Sequence, residues 1–198
     1  MSEVKMKLRG SQFLEALFKA TEEGLYAGAT IGADAAVRSF GRQHGGKSSA
    51  PGSPPNVQSG FLRNSVTAVN ANDLGRPLAA AYGTNVPYGR YLEFGANVRG
   101  RPWLTVPIHP DAKKAARRGI PARRLPLRLI QTKTQLLLIR DKKGKNARTE
   151  VWFVLKRAVK IAARPWLARS LTGNRERISA QINAVVARKM KGIQIIGQ

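Results

Sequence analysis

Apolar residues first recur at helical spacing between residues 13 and 40. Phe13, Leu14, Leu17, Phe18, Leu25, Ala29, Ala33, Val37 and Phe40 fall on one side of a helix that ends near Gly41. Ser11 is placed to cap it, and Glu15 sits in the first turn, where a negative charge suits the helix dipole. Gly24, Gly28 and Gly32 recur every fourth residue. Each costs a helix roughly 0.5–1 kcal/mol relative to alanine, so the stripe predicts either close approach of another backbone or a break near Gly24. Residues 41–59 form a Gly/Ser/Pro loop, expected to be an extended arm that orders against a neighbouring subunit. His44 and Lys47 within it could suit phosphate, but a flexible solvated loop is the better account of them.

Residues 60–69 read as a helical turn or short strand with Leu62, Val66 and Val69 inward and Arg63 exposed. A turn at 70–76 leads to a strand at 77–82 and then to a stretch, 82–95, dense in aromatics and glycine. Within it a short amphipathic turn or helix is expected over 87–94. A strand follows at 102–108, a short basic helix or coil at 112–118, and an extended Pro/Arg-rich segment at 120–127. The strongest β signal is the pair of apolar runs at 135–140 and 150–155, flanking a Lys/Gly-rich tip. Leu136, Leu138, Trp152 and Val154 are expected to share a face of this hairpin. Residues 156–163 continue as strand or linker. A final helix enters at Arg164, Pro165, Trp166 and Leu167, with an interruption expected at Gly173 and Asn174. Leu167, Leu171, Ile178, Ile182, Val185, Val186 and Met190 mark its apolar face. The tail at 192–198 offers a strand to a neighbour. The fold class is α+β: a long N-terminal and a C-terminal helix packed on a mainly antiparallel sheet, with an inserted β-rich hairpin subdomain. The core domain comprises 1–98 and 163–198, and the insertion 99–162.

Charge changes this picture. The chain of 198 residues is 42% hydrophobic, enough for a core, yet its net charge is +24. Residues 99–164 hold 19 of the 35 Lys and Arg but only 3 of the 11 acids. Such an excess exceeds the needs of a solvated face and favours a polyanionic partner. Arg117, Arg118, Arg123, Arg124, Lys142, Lys143, Lys145 and Arg148 are the expected DNA- or acidic-partner-facing residues. Trp103, Trp152 and Phe153 lie in apolar strands, which favours sequence-independent backbone contact over base stacking. No run is long and apolar enough for a membrane span, no secretory signal is visible, and cysteine is absent.

Catalytic chemistry finds little support. The two histidines, His44 and His109, lack metal-ligand spacing, and no serine triad motif or phosphate-cradling glycine loop occurs. Glu93, between Leu92 and Phe94, is the one acid in a suggestive place. With no second acid it reads as a structural or interface carboxylate paired with an arginine. No catalytic residue, metal or cofactor is expected.

Four pieces in order resemble a known family. They are the N-terminal helix with its Gly/Pro loop ending at 48–55, then Ser59-Gly60-Phe61-Leu62-Arg63-Asn64-Ser65-Val66. Tyr82-Gly83-Thr84-Asn85 with Pro87-Tyr88-Gly89-Arg90-Tyr91-Leu92-Glu93-Phe94-Gly95 follow, and Ala163-Arg164-Pro165-Trp166-Leu167-Ala168-Arg169-Ser170-Leu171 precede the last helix. Together they cover about half the chain and are similar to the tail-component or tail-completion proteins of long-tailed bacteriophages, resembling the minor tail protein Z-like members. The family's usual Thr after Glu-Phe-Gly is Ala96 here, and the basic block separates two pieces that lie close together in shorter members. The resemblance implies a non-enzymatic structural virion protein. It would form a homo-oligomeric ring at the neck or top of the tail, joining tail to head around the DNA channel. Tail-terminator or tail-tube proteins and head-tail connector or head-closure proteins would be partners, with non-specific contact to genomic double-stranded DNA. Its place would be the virion, and the host cytoplasm during assembly. Tyr88, Arg90, Tyr91, Glu93, Phe94 and Arg63 would then serve the oligomer interface. The competing expectation is a sequence-independent nucleic-acid-binding protein acting outside a virion.

Overall fold

The glycine stripe decides how the first helix is used. The structure is a computed structural model that describes residues 6–41, 48–141 and 149–195. A short strand β1 (Met6–Leu8) leads into α1 (Gly10–Ser39), which runs unbroken through all three glycines. Arg9 is its N-cap residue, so Ser11 lies inside the first turn rather than at the cap. Glu15 pairs one turn on with Lys19 at 2.8 Å. The buried seam is made of small residues, Ala20, Gly24, Gly28, Ala29, Gly32, Ala33 and Ala36, whereas Leu14 stays 63% exposed. A Cβ on Gly24 would lie 3.1 Å from the Ile182 carbonyl oxygen, and one on Gly28 3.0 Å from Ile182 Cγ1. At Gly24 the stripe admits the backbone of the C-terminal helix, at Gly28 its Ile178 and Ile182 side chains, and at Gly32 the Tyr82 ring.

The chain continues through α2 (Phe61–Asn64), β2 (Thr67–Val69), α3 (Ala71–Leu74), β3 (Ala81–Gly83) and α4 (Gly89–Phe94). β2 and β3 pair antiparallel, with Ala68 opposite Tyr82. Pro77 to Ala80 precede the strand rather than belong to it. The described part of the 41–59 loop is strapped to its own chain, against the expectation of an arm held by a neighbour. Gly41 N donates to Pro55 O at 3.1 Å, Gly52 N to Ala163 O at 2.8 Å, and Arg164 Nε to Ser49 O at 3.1 Å. His44 and Lys47 lie outside the described residues.

A second compact unit, Ala96–Ile161, is set between Gly95 and Ala162. It comprises β4 (Ala96–Pro107), α5 (Pro110–Arg117), a 3-10 turn (Ala122–Arg124), β5 (Arg128–Gln131), β6 (Leu136–Asp141) and β7 (Thr149–Ile161). The four strands form one antiparallel sheet in the order β4-β7-β6-β5. The expected face of Leu136, Leu138, Trp152 and Val154 is corrected by the register. Leu136 pairs with Leu155 and Leu138 with Phe153, while Val154 pairs with Leu137 on the other side. A register shift between Leu138 and Ile139 leaves Trp152 as an extra residue, so that Trp152 and Phe153 share one cluster with Ala112 and Leu138. A period-two reading carried through the shift misplaces every side chain beyond it.

Near the hairpin, Arg128 Nε donates to Asp141 Oδ2 at 3.2 Å and Nη2 to Oδ1 at 3.4 Å. The Arg128 hydrogen bonds hold the Asp141 carboxyl below its usual value. A depressed folded-state value means this support is present above the ordinary aspartate range and is lost as pH falls through the folded value. Amide protection in β5 is thus expected to drop in acid, with Asp141→Asn removing the dependence; an Asp141→Asn chain with the same acid response would contradict it.

After the insertion come α6 (Leu167–Thr172), α7 (Arg175–Met190) and β8 (Ile193–Ile195), with the break between helices at Gly173 and Asn174. β8 pairs in parallel with β1 of the same chain, Lys7 opposite Gln194. The fold class is α+β. The four-stranded sheet lies within Ala96–Ile161, and α1 packs on α7 and the antiparallel β2–β3 ladder.

Candidate functional site

The stretch from Tyr82 to Gly95 builds a compact knot of hydrogen bonds before it presents anything outward. Ser65 Oγ and Thr84 Oγ1 lie 2.6 Å apart, and Val86 N donates to Thr84 Oγ1 at 3.1 Å, which fixes the turn into α4. A Cβ on Gly89 would fall 2.7 Å from Thr84 Cγ2, so any larger residue at the helix start would displace the Thr84 side chain. Gly95 ends α4 at φ +73°, a left-handed conformation that suits glycine.

Inside this knot sits Glu93, 5% exposed. Its Oε2 accepts from the backbone amides of Trp166 at 2.8 Å and Leu167 at 3.0 Å, and Oε1 accepts from Ala168 N at 3.0 Å. The first amides of any helix lack intrahelical acceptors, and α6 has no side-chain cap of its own. Glu93 supplies both acceptor and negative charge from an element 73 residues away. This corrects the expected arginine pairing and moves Glu93 from the interface set to the interior. A signal for it was present: the helix starts at Trp166-Leu167 with no Ser, Thr, Asp or Asn at the cap, so an outside acceptor was needed. Arg164 N also donates to Leu92 O at 2.6 Å, so the returning chain docks on α4 twice. Trp166 is fully buried and packs on Phe40 at 5.1 Å between ring centroids.

Tyr82 ties the same region to α1. Its hydroxyl lies 2.9 Å from Ser170 Oγ and donates to Leu167 O at 3.3 Å. Burial pushes its ionisation above the ordinary tyrosine value. Its ring lies against Gly32.

With Glu93 turned inward, α4 turns Tyr88, Arg90, Tyr91 and Phe94 outward. Phe94 is 81% exposed, Tyr88 and Tyr91 about 40%, and Arg90 lies over the Tyr91 ring at 5.4 Å. Arg63 is exposed on α2 beside Phe61, an exposed aromatic that periodicity does not single out. Phe61, Tyr88 and Leu92 line, with Phe40, Pro55 and Val57, an apolar cleft of about 240 Å³.

In the second unit Arg117, Arg118, Arg123 and Arg124 are all exposed, at the end of α5 and in the 3-10 turn. Lys142, Lys143, Lys145 and Arg148 lie outside the described residues. The three acids of this unit are engaged. Asp111 lies 3.6 Å from Lys114, Asp141 holds Arg128, and Glu150 lies 3.7 Å from His109 and accepts from Trp152 Nε1 at 3.4 Å. His109 caps α5, its Nδ1 accepting from Asp111 N at 3.2 Å, and stacks on Trp152. Trp152 and Phe153 are buried, while Trp103 is half-buried beneath Arg157.

Among the described residues no cluster of three or more His, Cys, Asp or Glu could hold a metal ion, and no helix is long and apolar enough to cross a membrane. Within the first unit the arrangement joins a capped helix to an outward aromatic face. Compared with protein-family models, curated proteins and solved structures, the chain matches none of them.

Proposed function

We propose that the chain is a structural protein of a long-tailed phage virion. It forms a ring at the neck or top of the tail that completes the tail and helps join it to the head. It works by assembly, without catalysis or cofactor. The observation that carries this reading is the Glu93 clasp. It joins two pieces of the resemblance, the Tyr-Leu-Glu-Phe-Gly turn and the Pro-Trp-Leu helix start, into one internal unit. The one suggestive carboxylate is thereby committed to folding. What the motif leaves outward is an aromatic face of Tyr88, Tyr91 and Phe94 with Phe61 nearby, flanked by Arg63 and Arg90. Clustered exposed aromatics and arginines are the composition of contact surfaces between proteins.

Electron microscopy of particles carrying a labelled chain tests the reading, with rings of this protein at the head–tail junction expected. In the purified chain, Phe94→Asp is expected to change stability by less than about 1 kcal/mol, because the ring is solvated. The same change should abolish ring formation with neck partners. Rings formed normally by Phe94→Asp would remove this face from the interface.

The excess of cations over engaged acids in Ala96–Ile161 supports a second reading, a free sequence-independent nucleic-acid-binding protein. That reading requires tight duplex binding by the isolated chain and no place in the particle, whereas the assembly reading requires weak binding and a fixed place.

A further inference from the structure

Besides the shift beside Trp152, the sheet of Ala96–Ile161 has a wider defect in β4, and it is lined by cations. β4 leaves its pairing with β7 between Arg99 and Leu104, while β6 reaches only as far as Leu155. Arg157 therefore sits where β7 loses ladder partners on both sides. The displaced segment, Gly100 to Trp103, folds back so tightly that a Cβ on Gly100 would collide with the Trp103 and Leu104 backbone. This places the half-buried Trp103 ring under Arg157, whose guanidinium carbon is 5.1 Å from the ring centroid. Two concavities share the pair. One, of about 610 Å³, is open, is lined by the β5–β6 turn and carries Lys133 and Lys156. The other, of about 430 Å³, carries Arg99. Neither is lined by an acid, and all three acids of this unit are engaged elsewhere.

We propose that this Trp103–Arg157 cleft is the surface that grips the phosphodiester backbone of double-stranded DNA. Stacking on the indole orients the planar guanidinium and leaves its N–H edges free to bridge phosphate oxygens, a geometry lysine does not reproduce. Lys133, Lys156 and Arg99 add point charges around it, and the exposed Gln131 and Thr134 add neutral donors of the kind that position a backbone. The Trp103 face is covered by Arg157, so the ring supports a cation rather than stacking on a base. Contact is thus sequence-independent. The inference deepens the assembly reading and rests on it only for the source of the DNA, the packaged genome.

The test is binding of a fluorescent random-sequence duplex by the purified full-length chain over a salt series. Affinity is expected to be about micromolar at low salt and to fall log-linearly with salt. Lys133→Ala with Arg157→Ala should lower affinity roughly ten-fold and flatten the salt slope by about two. Arg175→Ala with Arg177→Ala removes the same charge from the exposed face of α7 and should lower it less than about three-fold. Arg157→Lys, which keeps the charge and disturbs the fold least, should still lose affinity. Equal losses from the two pairs, an Arg157→Lys chain that binds like the parent, tighter binding of single strands than of duplex, or polyglutamate competing as well per charge as DNA would each overturn the cleft. A parent chain that binds duplex through the cleft yet is missing from virions sinks the assembly reading alone.

Discussion

Glu93→Ala is expected to destabilise the purified chain by about 3–4 kcal/mol in urea unfolding. Three backbone amides lose their acceptor in a site that is 5% exposed. Each buried donor left without a partner costs about 1–3 kcal/mol, and loss of a helix cap alone costs about 0.5–2 kcal/mol. Partial entry of water reduces the sum, which is still a large share of a domain stability of about 5–15 kcal/mol. Glu93→Gln separates charge from shape. The amide keeps one acceptor oxygen but turns an NH₂ toward an N–H and removes the negative charge at the start of α6. A cost of about 1–2 kcal/mol is expected. A Glu93→Gln chain as stable as the parent would show that the carboxylate's charge is immaterial.

Gly32→Ala is the second large effect, and its sign is the informative part. On propensity alone alanine should stabilise a helix interior by up to about 1 kcal/mol. Here the new methyl would lie 2.8 Å from Tyr82 Cζ, and the ring is pinned through its hydroxyl to Ser170 and Leu167. Overpacking of this kind costs about 1–3 kcal/mol, so a net loss of about 1–2 kcal/mol is expected. Gly10→Ala, at a site with nothing within 4 Å, provides the unstrained comparison. Pairing Gly32→Ala with Tyr82→Leu should recover most of the loss in a double-mutant cycle. If Gly32→Ala instead raises stability as propensity dictates, the Tyr82 ring is not wedged against α1.

These two sites also show what could be read from the chain and what could not. The glycine stripe left two readings open, close approach of another backbone or a break near Gly24; the helix is unbroken, and a backbone approaches at Gly24 alone. The partner of each glycine was not legible, since Tyr82 and Ile182 lie far away in sequence. The short helix at 87–94 and the break at Gly173 followed from local chemistry. The partner of Glu93 did not, because an opposite charge is the default expectation for a carboxylate and amides carry no sequence label. Strand existence in the hairpin was plain from apolar runs. Its facing pattern failed at the register shift beside Trp152, which period two does not reveal. The pairing of β1 with β8 joins three-residue strands from opposite ends of the fold, too short for any pattern to mark.

The clasp also bears on the order in which the chain can close. Glu93 and Trp166 are separated by 73 residues, and closing a loop of that length as free coil carries an entropic penalty before any bond forms. The intervening segment, however, pairs its own ends, Ala96 with Ile161. Once that ladder exists, Gly95 and Ala162 are tethered side by side, and the effective loop shrinks to a few residues. The insertion thus behaves as a splint. A host fold can accept such a cassette between these positions at small topological cost, since the cassette brings together the two ends that the clasp must join.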